Sequence, residues 1–258
     1  MFDPDPTIRL RHWLGGMEAV AESVWKRVQD RMLKAILLVG AAGALAAGWL
    51  IELQPGEVRP MLLLFNLFCA LLVIFIGATE IPRDRSTRNI QFFLSKPLSR
   101  GQYVTGKFVG VLVIAESIFL AYAVCFLAAA AARGQGAGDT VLMDCGRLAL
   151  QLATVTGLVV GLSAFLPELA ATILSFAIFL LSFVVFLIPP LTQLLIPAWL
   201  RPIFLTLYYP LPNLQHFLWV TDATHGILFL LTTATYTAAY CVGALMIAEL
   251  FLRRRDLF

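Results

Sequence analysis

The chain has 258 residues, of which 60% are hydrophobic and only 14% charged, and its mean hydropathy is +0.84. Soluble domains carry charge on about a quarter of their residues, so this composition excludes one and indicates an integral membrane protein. The formal charge of +3 does not indicate a nucleic-acid partner, because the basic residues flank apolar runs instead of forming a stripe with aromatic stacking platforms.

In chain order, segment 8–31 comes first. It is too polar to insert, yet Leu10, Trp13, Leu14, Met17, Val20, Ala21, Val24, Trp25 and Val28 share one helical face, away from Glu18, Glu22 and Lys26. Residues 1–34 are therefore expected to hold an amphipathic N-terminal helix, suited to the membrane interface and equally to packing on the protein's own surface. The first apolar run starts too late for a signal peptide, so the first helix is expected to remain in the mature protein.

Six runs follow, near 35–51, 61–79, 108–132, 148–166, 169–188 and 227–248. Each is long and apolar enough to cross about 30 Å of hydrocarbon at about 1.5 Å per residue. The predicted fold is an all-α integral membrane protein with six transmembrane helices. In the first span Gly40, Ala44 and Gly48 lie four apart, a spacing that permits close helix contact.

Fifteen of the 19 lysines and arginines fall before the first span, between the second and third, or at the C-terminal end; Arg59, Arg133, Arg147 and Arg201 are the others. Basic loops stay in the cytoplasm, so both termini and loop 80–107 are expected there. Pro167-Glu168 leaves room only for a tight hairpin between spans four and five. Segment 189–225 is broken by Pro189, Pro190, Pro197, Pro202, Pro210 and Pro212 yet stays apolar, which predicts a re-entrant or interfacial segment on the outer side.

Loop 80–107 is the most informative stretch. Pro82 and Asp84-Arg85-Ser86-Thr87 read as a helix start, Ile90, Phe93 and Leu94 recur at helical spacing, and Pro97 ends the turn. Ser99 and Gln102 then form the S-x-x-Q pattern of a capped helix N-terminus. The residues Glu80, Arg83-Asp84-Arg85-Ser86-Thr87, Phe93-Leu94-Ser95-Lys96-Pro97, Ser99-Arg100, Tyr103 and Gly106-Lys107 resemble the corresponding loop of type-2 ABC exporter permeases. That family reads E-R-x-x-G-T, then L-L-S-x-P-x-S-R, then Y-x-x-G-K. Ser86 stands where the family has Gly, and Phe93 where it has Leu.

The resemblance implies a single transmembrane permease domain over 1–258, in a prokaryotic cytoplasmic (inner) membrane. It implies a cytoplasmic coupling helix between helices 2 and 3, with Asp84, Arg85, Thr87, Arg88, Gln91, Lys96 and Arg100 meeting the ATPase. The implied partners are two copies of an ABC ATPase subunit, which bind ATP and Mg, a second permease copy as homodimer or close heterodimer, and the lipid bilayer. Tyr208-Tyr209-Pro210-Leu211-Pro212-Asn213-Leu214 and Phe217 are also similar to a branch of these permeases linked to multicopper-enzyme maturation, which implies a periplasmic accessory protein.

Other motifs carry less. Gly101 to Lys107 nearly spells a phosphate-binding loop, but Phe108 replaces the magnesium-holding hydroxyl and no strand precedes it, so no cofactor is expected in this chain. His12, His216 and His225 are too scattered for a metal centre, and no catalytic carboxylate pair or nucleophile set occurs, so no enzyme activity is expected. Cys69, Cys125, Cys145 and Cys241 read as small apolar residues. Glu116 is the charged residue within the predicted spans. A carboxylate at that depth faces a protein interior or an aqueous path. Glu116, Asn66 and Gln151 are thus candidates for a transport path, and hydrogen bonding of a protonated Glu116 to Asn66, Gln151 or Thr154 is the structural alternative. Two further readings of the whole remain: a proton-linked secondary transporter using Glu116, and a membrane anchor of a periplasmic assembly complex.

Overall fold

The computed structural model describes residues 6–28, 31–50, 58–87, 98–133, 141–183, 211–217 and 226–254. These form seven α-helices: α1 Pro6–Val28, α2 Arg31–Leu50, α3 Val58–Ser86, α4 Arg100–Ala132, α5 Val141–Ser163, α6 Glu168–Ser182 and α7 Gly226–Arg254. A 3-10 turn, Leu214–Phe217, lies before α7. Among the described residues there is no strand. Four helices, α3, α4, α5 and α7, are long and apolar enough to cross a membrane. The apolar part of α2, Leu38–Trp49, and α6 are shorter, and the rest of the expected fifth span, 184–188, lies outside the described residues.

α5 is more enclosed than α3, α4 or α7. It packs along α3 and α7, with Gly157 and Gly161 against Cys241 and Ala244 of α7 and Val159 against Gly77 of α3. The α2 stripe meets α4: a Cβ on Gly48 would lie 2.6 Å from the Phe126 carbonyl oxygen, and one on Gly40 would enter the Tyr122 ring. Tyr122 fixes the contact by donating its hydroxyl to Ile36 O at 2.7 Å, and Phe65 of α3 packs edge-on to Tyr122 and Phe126 at 5.9 and 5.7 Å.

α1 lies against α4 as well. Gly106 and Gly110 accept Val20 and Val24, for a Cβ on either would fall 2.6 or 2.8 Å from the valine Cβ. Val20 and Val24 are fully buried, while Trp13 and Leu14 stay exposed at 39% and 43%. The helix therefore packs on its own protein and keeps apolar surface for an interface.

Two boundaries differ from the sequence expectation. α3 does not stop near residue 79 to restart at Pro82; it runs through Pro82 to Ser86. Proline removes one helical N–H, but Ile81 and Asp84 on either side are fully buried, and that packing holds the turn. The helix ends where Ser86 and Thr87 fold their hydroxyls back onto Arg83 O, both at 2.9 Å. α5 begins at Val141 instead of near 148, because Asp144 and Arg147 pair with each other at 3.2 Å and can enter the helix. Of segment 189–225 the described part is 211–217, where Leu214 and Phe217 are buried in the core and Asn213 donates its backbone N–H to Tyr236 Oη at 3.0 Å. The rest of that segment lies outside the described residues, as do 88–97.

Candidate functional site

The two helices that flank the basic loop are locked together at its base. Glu80 and Asp84 are four apart on α3 and so share a face; Tyr103 and Lys107 are four apart on α4. Lys107 Nζ lies 2.7 Å from Glu80 Oε2 and 2.8 Å from Asp84 Oδ2. Tyr103 donates its hydroxyl to the same Asp84 oxygen at 2.9 Å, and its ring sits 5.8 Å from the ammonium. Lys107 and Asp84 are fully buried and Glu80 is 3% exposed. Burying these charges costs desolvation energy, so the group holds because each is paired; removing one partner of such a pair costs about 3–5 kcal/mol. The near-match to a phosphate-binding loop is thus helix, with its lysine committed to two carboxylates.

Around this clamp the loop base is tied to three more helices. Arg85 donates to Ala164 O in the turn after α5. Arg100 donates to Leu252 O in the last turn of α7 at 2.6 Å. Gln102 donates its side-chain amide to Trp13 O of α1 at 3.1 Å. Glu249 of α7 approaches Gly101 so closely that a Cβ there would lie 2.9 Å from its carboxylate. Ser99 and Gln102 form the expected capping box, each side chain bonding the other's backbone N–H, at 3.1 and 2.7 Å. Side-chain bonds to carbonyls at helix C-termini answer acceptors that a helix leaves open, so the Arg85 and Arg100 ties also finish α5 and α7, whereas Gln102 meets a carbonyl in the middle of α1.

The candidate coupling residues separate accordingly. Asp84 is inside the clamp, Arg85 and Arg100 are half-buried and tied to backbone carbonyls, and Thr87 is exposed. Arg88, Gln91 and Lys96 lie outside the described residues. Glu80, Tyr103 and Lys107 were legible as motif letters but not as site residues; the paired spacing of four on each flank was the available signal.

The opposite end carries a smaller ionic group. Asp144 sits 3.2 Å from Arg147 and 3.9 Å from Arg59 of α3, and the Arg147 guanidinium lies over Phe229 of α7 at 5.8 Å.

Between the ends are the path candidates. Asn66 and Gln151, each 2% exposed, line one cavity between α3, α5 and α6 of about 160 Å³. Asn66 donates to Leu148 O at 2.8 Å. Thr154 donates to Leu150 O at 3.0 Å, and its hydroxyl lies 3.3 Å from that of Thr237. Glu116 is half-buried on α4 and does not line that cavity. Among the described residues no three His, Cys, Asp or Glu side chains converge as a metal site requires.

No curated protein matches the chain. A family model described as ABC-2 family transporter protein matches residues 11–256, nearly the whole length, and the chain belongs to that family of ABC transporter membrane proteins.

Proposed function

We propose that this chain is the permease subunit of an ABC exporter, spanning a prokaryotic inner membrane six times with both termini and loop 80–107 in the cytoplasm. Two permeases, as homodimer or close heterodimer, would work with two copies of a separate ATPase that holds ATP and Mg. The observation that carries this reading is the clamp. Lys107, Glu80 and Asp84 join α3 to α4, and Arg85, Arg100 and Gln102 join the same base to α5, α7 and α1. A loop that served only to orient the protein would need its positive charges in water; it would not need its base fixed to the helices around it.

In this reading the approach of the two ATPases pushes on segment 84–100. The base cannot hinge freely, so the push moves the surrounding helices and alters access to a path near Asn66, Gln151 and Glu116. Roles then divide: Thr87, Arg88, Gln91 and Lys96 meet the ATPase, whereas Asp84, Arg85 and Arg100 pass force inward. In the same reading, segment 1–34 is the amphipathic part of the cytoplasmic side, and 189–225 would be the external segment available to any periplasmic accessory protein.

Charge reversal tests it. Arg88→Glu with Lys96→Glu should reduce ATPase co-purification and coupled ATP hydrolysis while the permease stays monodisperse, because solvated charges steer docking more than they stabilise a fold. If the double variant binds and couples as the parent does, the loop is a topology signal and the assignment to coupling fails.

A further inference from the structure

α5 is fixed to α3 at three levels: by Arg59 and Asp144 at the outer pole, by Asn66 donating to Leu148 O, and by Arg85 donating to Ala164 O at the base. α7 is held differently. Along its middle it meets α5 through small residues, Cys241 on Gly157 and Ala244 on Gly161. The polar contacts there are weak: Cys241 Sγ donates to Ala153 O at 3.3 Å, and the hydroxyls of Thr154 and Thr237 lie 3.3 Å apart. At the outer pole α7 offers Arg147 the ring of Phe229 instead of a counter-charge. A face without interlocking ridges tolerates the small sliding by which packed helices shear.

The ends of α7, by contrast, are anchored. Below, Ala248 and Leu252 are buried with Tyr103 and Val104 of α4, Arg100 donates to Leu252 O at 2.6 Å, and Glu249 lies against Gly101. The exchange is reciprocal, for a cation of α4 meets the carbonyl end of α7 and a carboxylate of α7 meets the amino end of α4, each the charge that helix end favours. Above, Tyr236 stands about 20 Å from Glu249 by helical rise. Its Oη accepts the Asn213 N–H at 3.0 Å, and its ring lies 6.2 Å from that of Phe217. The turn that carries Phe217 also packs on α5, with Leu214 and Phe217 in the core.

We infer that α7 is a sliding rod, through which displacement of the loop base at Arg100 and Gly101 reaches the outer turn Leu214–Phe217. A helix is stiff along its axis, so a shift at Glu249 and Leu252 arrives at Tyr236. There it must either break the tie to Asn213 or draw the turn from its seat on α5. α3 and α5 cannot carry the movement relative to each other, because they are joined at every level. The inference rests on the permease reading and deepens it, by naming the element that links the cytoplasmic loop to the outer side.

The test uses the purified permease in nanodiscs without any ATPase, so a failure of ATPase docking at loop 80–107 would leave its outcome intact. Amide hydrogen exchange is read on residues 211–217. Tyr236→Phe removes the acceptor of the Asn213 N–H and sets the scale: exchange there should rise about three- to tenfold, the range expected for one hydrogen bond. The base is perturbed from below by Arg100→Gln, which takes the cation from Leu252 O, and by Gly101→Val, whose side chain presses on Glu249. Both should raise exchange across 211–217 by about two- to tenfold, with 141–147 at the same pole unchanged. Arg85→Gln, which loosens the base toward α5 instead, should leave 211–217 as in the parent. Should Gly101→Val not fold, Arg100→Gln decides. Parent-like exchange at 211–217 in Arg100→Gln or in Tyr236→Phe, or an equal response to Arg85→Gln, would overturn the rod.

Discussion

Lys107 has no surface in contact with solvent, on a helix that continues into an apolar run, and its ammonium is answered by carboxylates from consecutive turns of α3. Replacing it by methionine should cost about 3–5 kcal/mol, because Glu80 and Asp84 would be left buried against each other. Adding Glu80→Gln and Asp84→Asn to Lys107→Met should recover most of that loss, since the amides carry no charge to desolvate. Denaturant titration of the single and triple variants measures both; a triple variant no more stable than the single one would show that the charges are not what holds the clamp. Glu116 is a contrasting case. It is half-buried and engages no described neighbour in a hydrogen bond or ion pair, so Glu116→Gln should leave stability and assembly within about 0.5 kcal/mol of the parent. A loss of transport in that variant with assembly intact would place Glu116 on the path, and a loss of assembly would make it structural. Lys107 read in sequence as one more positive charge of a basic loop, because a count of charges does not see which of them face inward. What showed its role was geometry: two pairs spaced by four, brought together by the antiparallel run of α3 and α4.

At the scale of elements, much was legible. The Ser99–Gln102 cap, the Gly40, Ala44 and Gly48 seam and the apolar face of α1 all follow from spacing along a helix, and all recur as contacts. Helix ends were less legible. Pro82 and the charged pair Asp144 and Arg147 read as breaks because local preference disfavours them within a membrane helix, and they stay helical because neighbours bury or pair them. The α1 contact gives a direct test of helix packing. Gly106→Leu should force α1 off α4, since Val20 already occupies the space, and raise proteolysis within α1. Gly43→Ala should be neutral, for nothing lies within 4 Å of its Cβ position. Arg100→Gln should weaken the bond to the last turn of α7, which amide hydrogen exchange near Leu252 would register as faster opening with α3 and α4 unchanged. Unchanged exchange there would mean that the tie contributes nothing to α7.

For the whole molecule, the described contacts set the helices in alternating directions: the end of α3, the start of α4, the turn after α5 and the end of α7 gather at one pole, and the starts of α3, α5 and α7 at the other. The chain belongs to the ABC-2 transporter family, and in the proposed topology the first pole faces the cytoplasm. Cysteine labelling on a background lacking the native four should then mark position 138 from outside and position 258 from inside; the reverse pattern would invert the assignment. The most direct test of the central claim, that the clamped loop is where an ATPase docks, is site-specific photocrosslinking in native membranes. A photoreactive residue in place of Arg88 or Gln91 should yield an adduct with a nucleotide-binding ATPase, and one in place of Leu142 at the opposite pole should not. Silence at both loop positions, or capture of the ATPase from position 142, would contradict the account.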